Sequence, residues 1–80
     1  MKVEVLAFGI AKDIFGKGTA NIDLEDAALV INLRESLEKR YPKLKELASY
    51  MIAVNDEYAE DGWILKETDE VAIIPPVSGG

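Results

Sequence analysis

The residues Pro75-Pro76-Val77-Ser78-Gly79-Gly80 place two rigid prolines ahead of four residues with small side chains. Fully extended, those four span about 13–14 Å, enough to thread a narrow channel in another protein. Gly79 and Gly80 would let the backbone reach a catalytic centre with no side chain in the way. The alternative is an ordinary frayed end. Conventional catalytic groups are missing: the 80 residues include no Cys and no His. Thiolate nucleophiles, disulfides, Cys-type metal sites, imidazole bases and the Ser-His-Asp triad are thereby excluded. Gly16-Lys17-Gly18-Thr19 resembles a phosphate loop only superficially, lacking the upstream glycine and the Lys-Ser/Thr order. Asp56 and Glu57 offer paired carboxylates without calcium-loop spacing, so no metal site is expected.

Charge is distributed unevenly. The formal net charge is −6, and residues 1–50 are balanced. Lys66 is the one basic side chain in residues 51–80, against Asp56, Glu57, Glu60, Asp61, Glu67, Asp69 and Glu70. Such a balance argues against nucleic acid, whose phosphates need a basic stripe. An acidic region beside the tail would steer it toward basic clefts, or would simply keep a small protein soluble. No apolar run approaches the ~20 residues of a membrane span. The opening Lys2-Val3-Glu4-Val5 is not a secretory signal, so a cytoplasmic location is expected.

The elements that must position these groups follow from periodicity. Val3, Val5 and Ala7 alternate with Glu4, Leu6 and Phe8, which predicts a strand ended by Gly9. Ile10 to Phe15 predicts a short helix with Ile10, Ile14 and Phe15 on its apolar side, closed by Gly16. Thr19 to Leu24 reads as a second strand. Val30, Leu33, Leu37 and Tyr41 form one face of a helix over about 28–41. Pro42 interrupts it, and Leu44, Leu47 and Ala48 suggest a second helical piece. Leu29 stands where a polar cap belongs, and Ile31 points off the apolar stripe. A cap from Asp26 or an extra partner contact would explain them. Met51 to Val54, a short strand at Tyr58 and Val71 to Ile74 complete an α+β fold, one helix across a mixed sheet of four to five strands. A domain over 1–76 and a flexible tail over 77–80 are expected.

If Val3, Val5, Val71 and Ile73 face the helix, alternation sends Leu6, Phe8, Ala72 and Ile74 to the opposite side, with Tyr58 joining them. A cluster of apolar side chains on a small domain is either a binding surface or a face covered by loops.

Several segments together resemble a known family. They are Ala11-Lys12-Asp13-Ile14-Phe15-Gly16, Leu37-Glu38-Lys39-Arg40-Tyr41-Pro42, Val54-Asn55, Asp69-Glu70-Val71 and the terminal Pro75-Pro76-Val77-Ser78-Gly79-Gly80. In this order they resemble the MoaD/ThiS ubiquitin-like sulfur carriers across the whole chain, most nearly the branch serving as the small subunit of molybdopterin synthase. Lys12 departs from the arginine common there, as do the apolar Leu29 and Ile31. The resemblance implies a β-grasp fold and a carrier that is not an enzyme on its own. It implies an ATP- and magnesium-using activating enzyme that adenylates Gly80, which then becomes a thiocarboxylate while Gly79 eases threading. It also implies a large synthase subunit as acceptor and a cyclic pyranopterin monophosphate as the sulfur's destination. Phe8, Tyr58, Ile74, Pro75, Pro76, Val77 and Ser78 would contact the partners, and no cofactor would be bound. Sulfur transfer for thiamine or another sulfur-containing product, or ubiquitin-like modification through Gly80, are the alternative roles.

Overall fold

Val3, Val5 and Ala7 are buried while Lys2 and Glu4 are exposed, so the alternation in the sequence becomes the two faces of β1 (Lys2–Ala7). The computed structural model describes residues 1–47 and 49–75. Gly9 turns the chain at φ 55 into α1 (Ile10–Phe15), which Gly16 ends at φ 78 with its N–H donating to Lys12 and Asp13 carbonyls. Both are left-handed conformations that glycine adopts without a Cβ clash. The chain continues through β2 (Thr19–Asp23), α2 (Val30–Arg40), a 3₁₀ turn (Pro42–Glu46), β3 (Met51–Val54), β4 (Glu57–Tyr58) and β5 (Val71–Ile74).

The five strands form one mixed sheet in the order β2-β1-β5-β3-β4. β1 pairs antiparallel with β2 and parallel with β5, and β3 pairs antiparallel with β5 and β4. Val3, Val5, Ala20, Ile22, Ile52, Val54, Val71 and Ile73 turn one face inward, where they share a core with Val30, Leu33 and Leu37 of α2. The expected α+β architecture is the observed one.

Three local expectations are corrected. In α1 the buried pair is Ala11 and Phe15, one helical turn apart, while Ile10 is 50% exposed. Phe15 stacks on Tyr41 with ring centroids 4.5 Å apart, and that contact sets the helix's rotation. The main helix starts at Val30 because Leu29 pairs as an isolated antiparallel bridge with Ile64. Its cap is not Asp26, which lies 3.4 Å from the N-terminal ammonium. Backbone carbonyls do that work instead: Val30 N–H donates to Trp63 (2.9 Å) and Ile31 N–H to Asp61 (3.0 Å). Asn32 Oδ1 accepts the Leu29 N–H at 2.8 Å. Orphan donors of a first turn need some acceptor, and here a distant loop supplies two. The second helical piece is the 3₁₀ turn, with Leu44 buried; Ala48 lies outside the described residues.

Candidate functional site

The outward face of the sheet is organised in rows set by strand register. Leu6 is opposite Ala72, Ala72 is opposite Ala53, and Ala53 is opposite Tyr58. That row runs across β1, β5, β3 and β4 as large, small, small, large. On the tail side, Ile74 is opposite Met51, and Phe8 follows the Ala7–Ile73 pair. Phe8 is 51% exposed, Met51 47% and Tyr58 66%. On the other side, Glu70 precedes the Val5–Val71 pair, beside Glu4 of β1. Leu6, Phe8, Ala53, Asp56, Tyr58, Glu70, Ala72 and Ile74 line one open depression of about 330 Å³. Its floor is the two alanines, one wall is apolar and the opposite wall is acidic.

Asn55 builds the acidic wall. Asn55 and Asp56 occupy the two central positions of the β3–β4 hairpin at φ 53 and 68, the left-handed pair that a type I′ turn requires. The Asn55 amide donates to Asp69 Oδ1 (2.9 Å), and its Oδ1 accepts from Glu70 N–H (2.9 Å). Its backbone N–H donates to the Glu70 carbonyl at 2.8 Å. Asp69 Oδ2 in turn accepts the Lys66 N–H at 2.8 Å. One side chain thus ties the hairpin turn to the entry of β5 and brings Asp56 and Glu70 to the same edge.

Phe8, Tyr58 and Ile74 therefore come together as alternation predicted. Pro75 is half-buried beside them, and a Cβ on Gly9 would lie 3.3 Å from its Cγ. The chain thus leaves β5 against the Phe8–Gly9 corner. Pro76, Val77, Ser78, Gly79 and Gly80 lie outside the described residues. Sequence reasoning missed Met51 and Ala53, and it counted Asp56 and Glu70 among the acidic residues without placing them at this face. The Asn55-Asp56 pair was the available signal for the wall, as a hairpin turn whose side chains sit beside the preceding strand's outer face.

On the helix side, Tyr50 donates its hydroxyl proton to Glu38, and the Arg34 guanidinium lies 4.8 Å from the Tyr50 ring centroid. Arg34 Nε also lies 3.3 Å from Asp61 Oδ1. Burial, then the hydrogen bond to Glu38, push the Tyr50 hydroxyl well above the usual phenol range, outweighing the opposing effect of Arg34. No helix among the described residues is long and apolar enough to cross a membrane.

The sequence profile of the ThiS family matches residues 5–80. A molybdopterin synthase sulfur carrier subunit from Homo sapiens is 36% identical over 83 residues, covering 99% of this chain and 94% of that protein. The crystal structure of SAMP1 from Haloferax volcanii superposes with a TM-score of 0.86 at 26% identity, covering both chains completely. A chain in the protein–protein complex of subunits 1 and 2 of molybdopterin-converting factor from Helicobacter pylori has a TM-score of 0.71 at 31% identity, again over both full lengths.

Proposed function

The chain belongs to the ThiS/MoaD family of ubiquitin-like sulfur carriers, and from that membership we propose that it is the sulfur carrier subunit of a molybdopterin synthase. The observation that carries the reading is full-length similarity to relatives bearing that name. The apolar outer face, with β5 leading straight from it toward the tail, supports it physically.

In this role Gly80 is the working group. A carboxylate is a poor electrophile, so an ATP- and magnesium-dependent activating enzyme joins it to AMP and releases pyrophosphate. The terminal sulfur of a donor enzyme's persulfide then displaces AMP to give an acyl disulfide. A second thiol of the donor attacks the donor's own sulfur, freeing the Gly80 thiocarboxylate and leaving a disulfide on the donor. The face lined by Phe8, Tyr58 and Ile74 docks on the synthase large subunit, while Pro75, Pro76, Val77 and Ser78 lead Gly79 and Gly80 into its active site. The sulfur passes to a cyclic pyranopterin monophosphate and becomes part of the molybdopterin dithiolene. The chain needs no cofactor of its own, turns over nothing alone and works in the cytoplasm.

Intact-mass spectrometry tests the reading after incubation with the activating enzyme, ATP, magnesium and a sulfur source. The expected gain is one oxygen-to-sulfur exchange at Gly80, and a competent enzyme producing no gain overturns the proposal. Similarity to SAMP1, which is named a small archaeal modifier protein, favours a second reading as a protein modifier. That role predicts Gly80 joined to lysines of other proteins in cell extracts.

A further inference from the structure

The outer face has a polarity that a purely apolar contact would not need. Its floor at Ala53 and Ala72 is low because two alanines stand opposite one another between Leu6 and Tyr58. Phe8 and Ile74 rise on the side from which the tail departs, while Asp56 and Glu70 stand on the other. Asp56, Glu70 and the neighbouring Glu4 are exposed, and none makes an ion pair among the described residues. A depression of about 330 Å³ is roughly ten times a water molecule's ~30 Å³ share of the liquid, room for a large side chain.

We propose that this depression is a socket for one bulky apolar side chain of the large subunit, flanked by a lysine or arginine that pairs with Asp56 and Glu70. The inference rests on the carrier reading and deepens it by stating what the partner must present. Charge complementarity selects this occupant. An apolar knob fills the space above the alanines, and a cation on its distal side meets carboxylates that otherwise have only water. The arrangement also fixes direction. An apolar-then-basic order on the partner seats only one way round, with the cation away from Phe8, so the tail is aimed as well as tethered. Charge pairs at an interface act on encounter rate and register more than on final affinity, whereas a filled apolar socket acts on residence time.

The test measures binding of the full chain to the purified large subunit by calorimetry and by association kinetics. Ala53→Leu fills the socket from an outward-facing position and should weaken binding about 30-fold, mainly by faster dissociation. If thermal unfolding shows Ala53→Leu misfolded, Ala72→Leu probes the same volume from the paired strand. Asp56→Asn with Glu70→Gln should lower the association rate about tenfold and flatten its salt dependence; Asn tolerates the positive φ at position 56. For wild type, raising salt from about 0.1 to about 1 M shortens the screening length from about 10 to about 3 Å and should weaken binding. Undiminished binding by the folded leucine variant, or salt-independent binding by wild type, overturns the socket while leaving the carrier reading intact. Failure of wild type to bind at all overturns the carrier reading itself. Self-association in sedimentation that Ala53→Leu abolishes would make a second copy the occupant and overturn the proposal.

Discussion

Asn55 sits at φ 53, where a Cβ costs roughly 1–2 kcal/mol, and its side chain forms two hydrogen bonds that reach the start of β5. Asn55→Gly removes the bonds and relieves the backbone, so it should destabilise by about 1–2 kcal/mol. Asn55→Ala removes the bonds and keeps the strain, so it should cost about 1 kcal/mol more. Urea unfolding of both variants checks the order, and alanine no worse than glycine would show that the turn bears no strain. The site's two halves differ in how far the sequence revealed them. Phe8, Tyr58 and Ile74 share a face because side chains alternate along strands, and alternation is visible in the residues themselves. The acidic residues were visible as a region expected beside the tail, but their place on the side away from it was hidden, since it depends on Asn55 meeting Asp69 and Glu70 across a turn and a loop.

The same contrast holds for the elements. The body of α2 was legible from Val30, Leu33 and Leu37, but its first residue was not. Its N-terminal donors are met by carbonyls of Asp61 and Trp63, so local sequence carries no cap to recognise. In α1 the contact between Phe15 and Tyr41 overrode the expected burial of Ile10. Below α2, the Tyr50 hydroxyl joins the start of β3 to Glu38. Its raised pKa means that the unfolded chain releases this proton first as pH climbs. The interaction's stabilisation is therefore complete below about pH 10, the unfolded phenol's range, and declines above it. Tyr50→Phe should cost about 1 kcal/mol at neutral pH. The gap between wild type and variant, followed by urea unfolding, should narrow above about pH 10. A widening gap would reverse the assigned sign.

At the scale of the whole molecule, the proposed carrier role gives docking to the sheet and delivery to the tail. In that role, deleting Gly80 would move the terminal carbonyl back by about 3.5 Å. A displacement of even about 1 Å can cost ~100-fold, so sulfur transfer should be nearly abolished. The sheet is untouched, so affinity for the large subunit should change far less. Calorimetry and single-turnover pterin sulfuration, with the thiocarboxylate installed chemically, give the two numbers. Transfer at near wild-type rate would remove Gly80 from the reactive end. The strand order has a further consequence, in the timing of synthesis. β1 with β2 and β3 with β4 are each neighbours along the chain, and each pair can form as soon as it is made. No strand pairing joins the two hairpins until β5, which follows both in the chain, inserts between β1 and β3. Pairings of such long sequence separation are slow to form. Leu6 and Phe8 stand on one hairpin, Met51 and Tyr58 on the other, so the outer face is complete only once Val71–Ile74 has joined the sheet. A partner that recognises this face would therefore meet only molecules in which the strand leading to Pro75 has already folded.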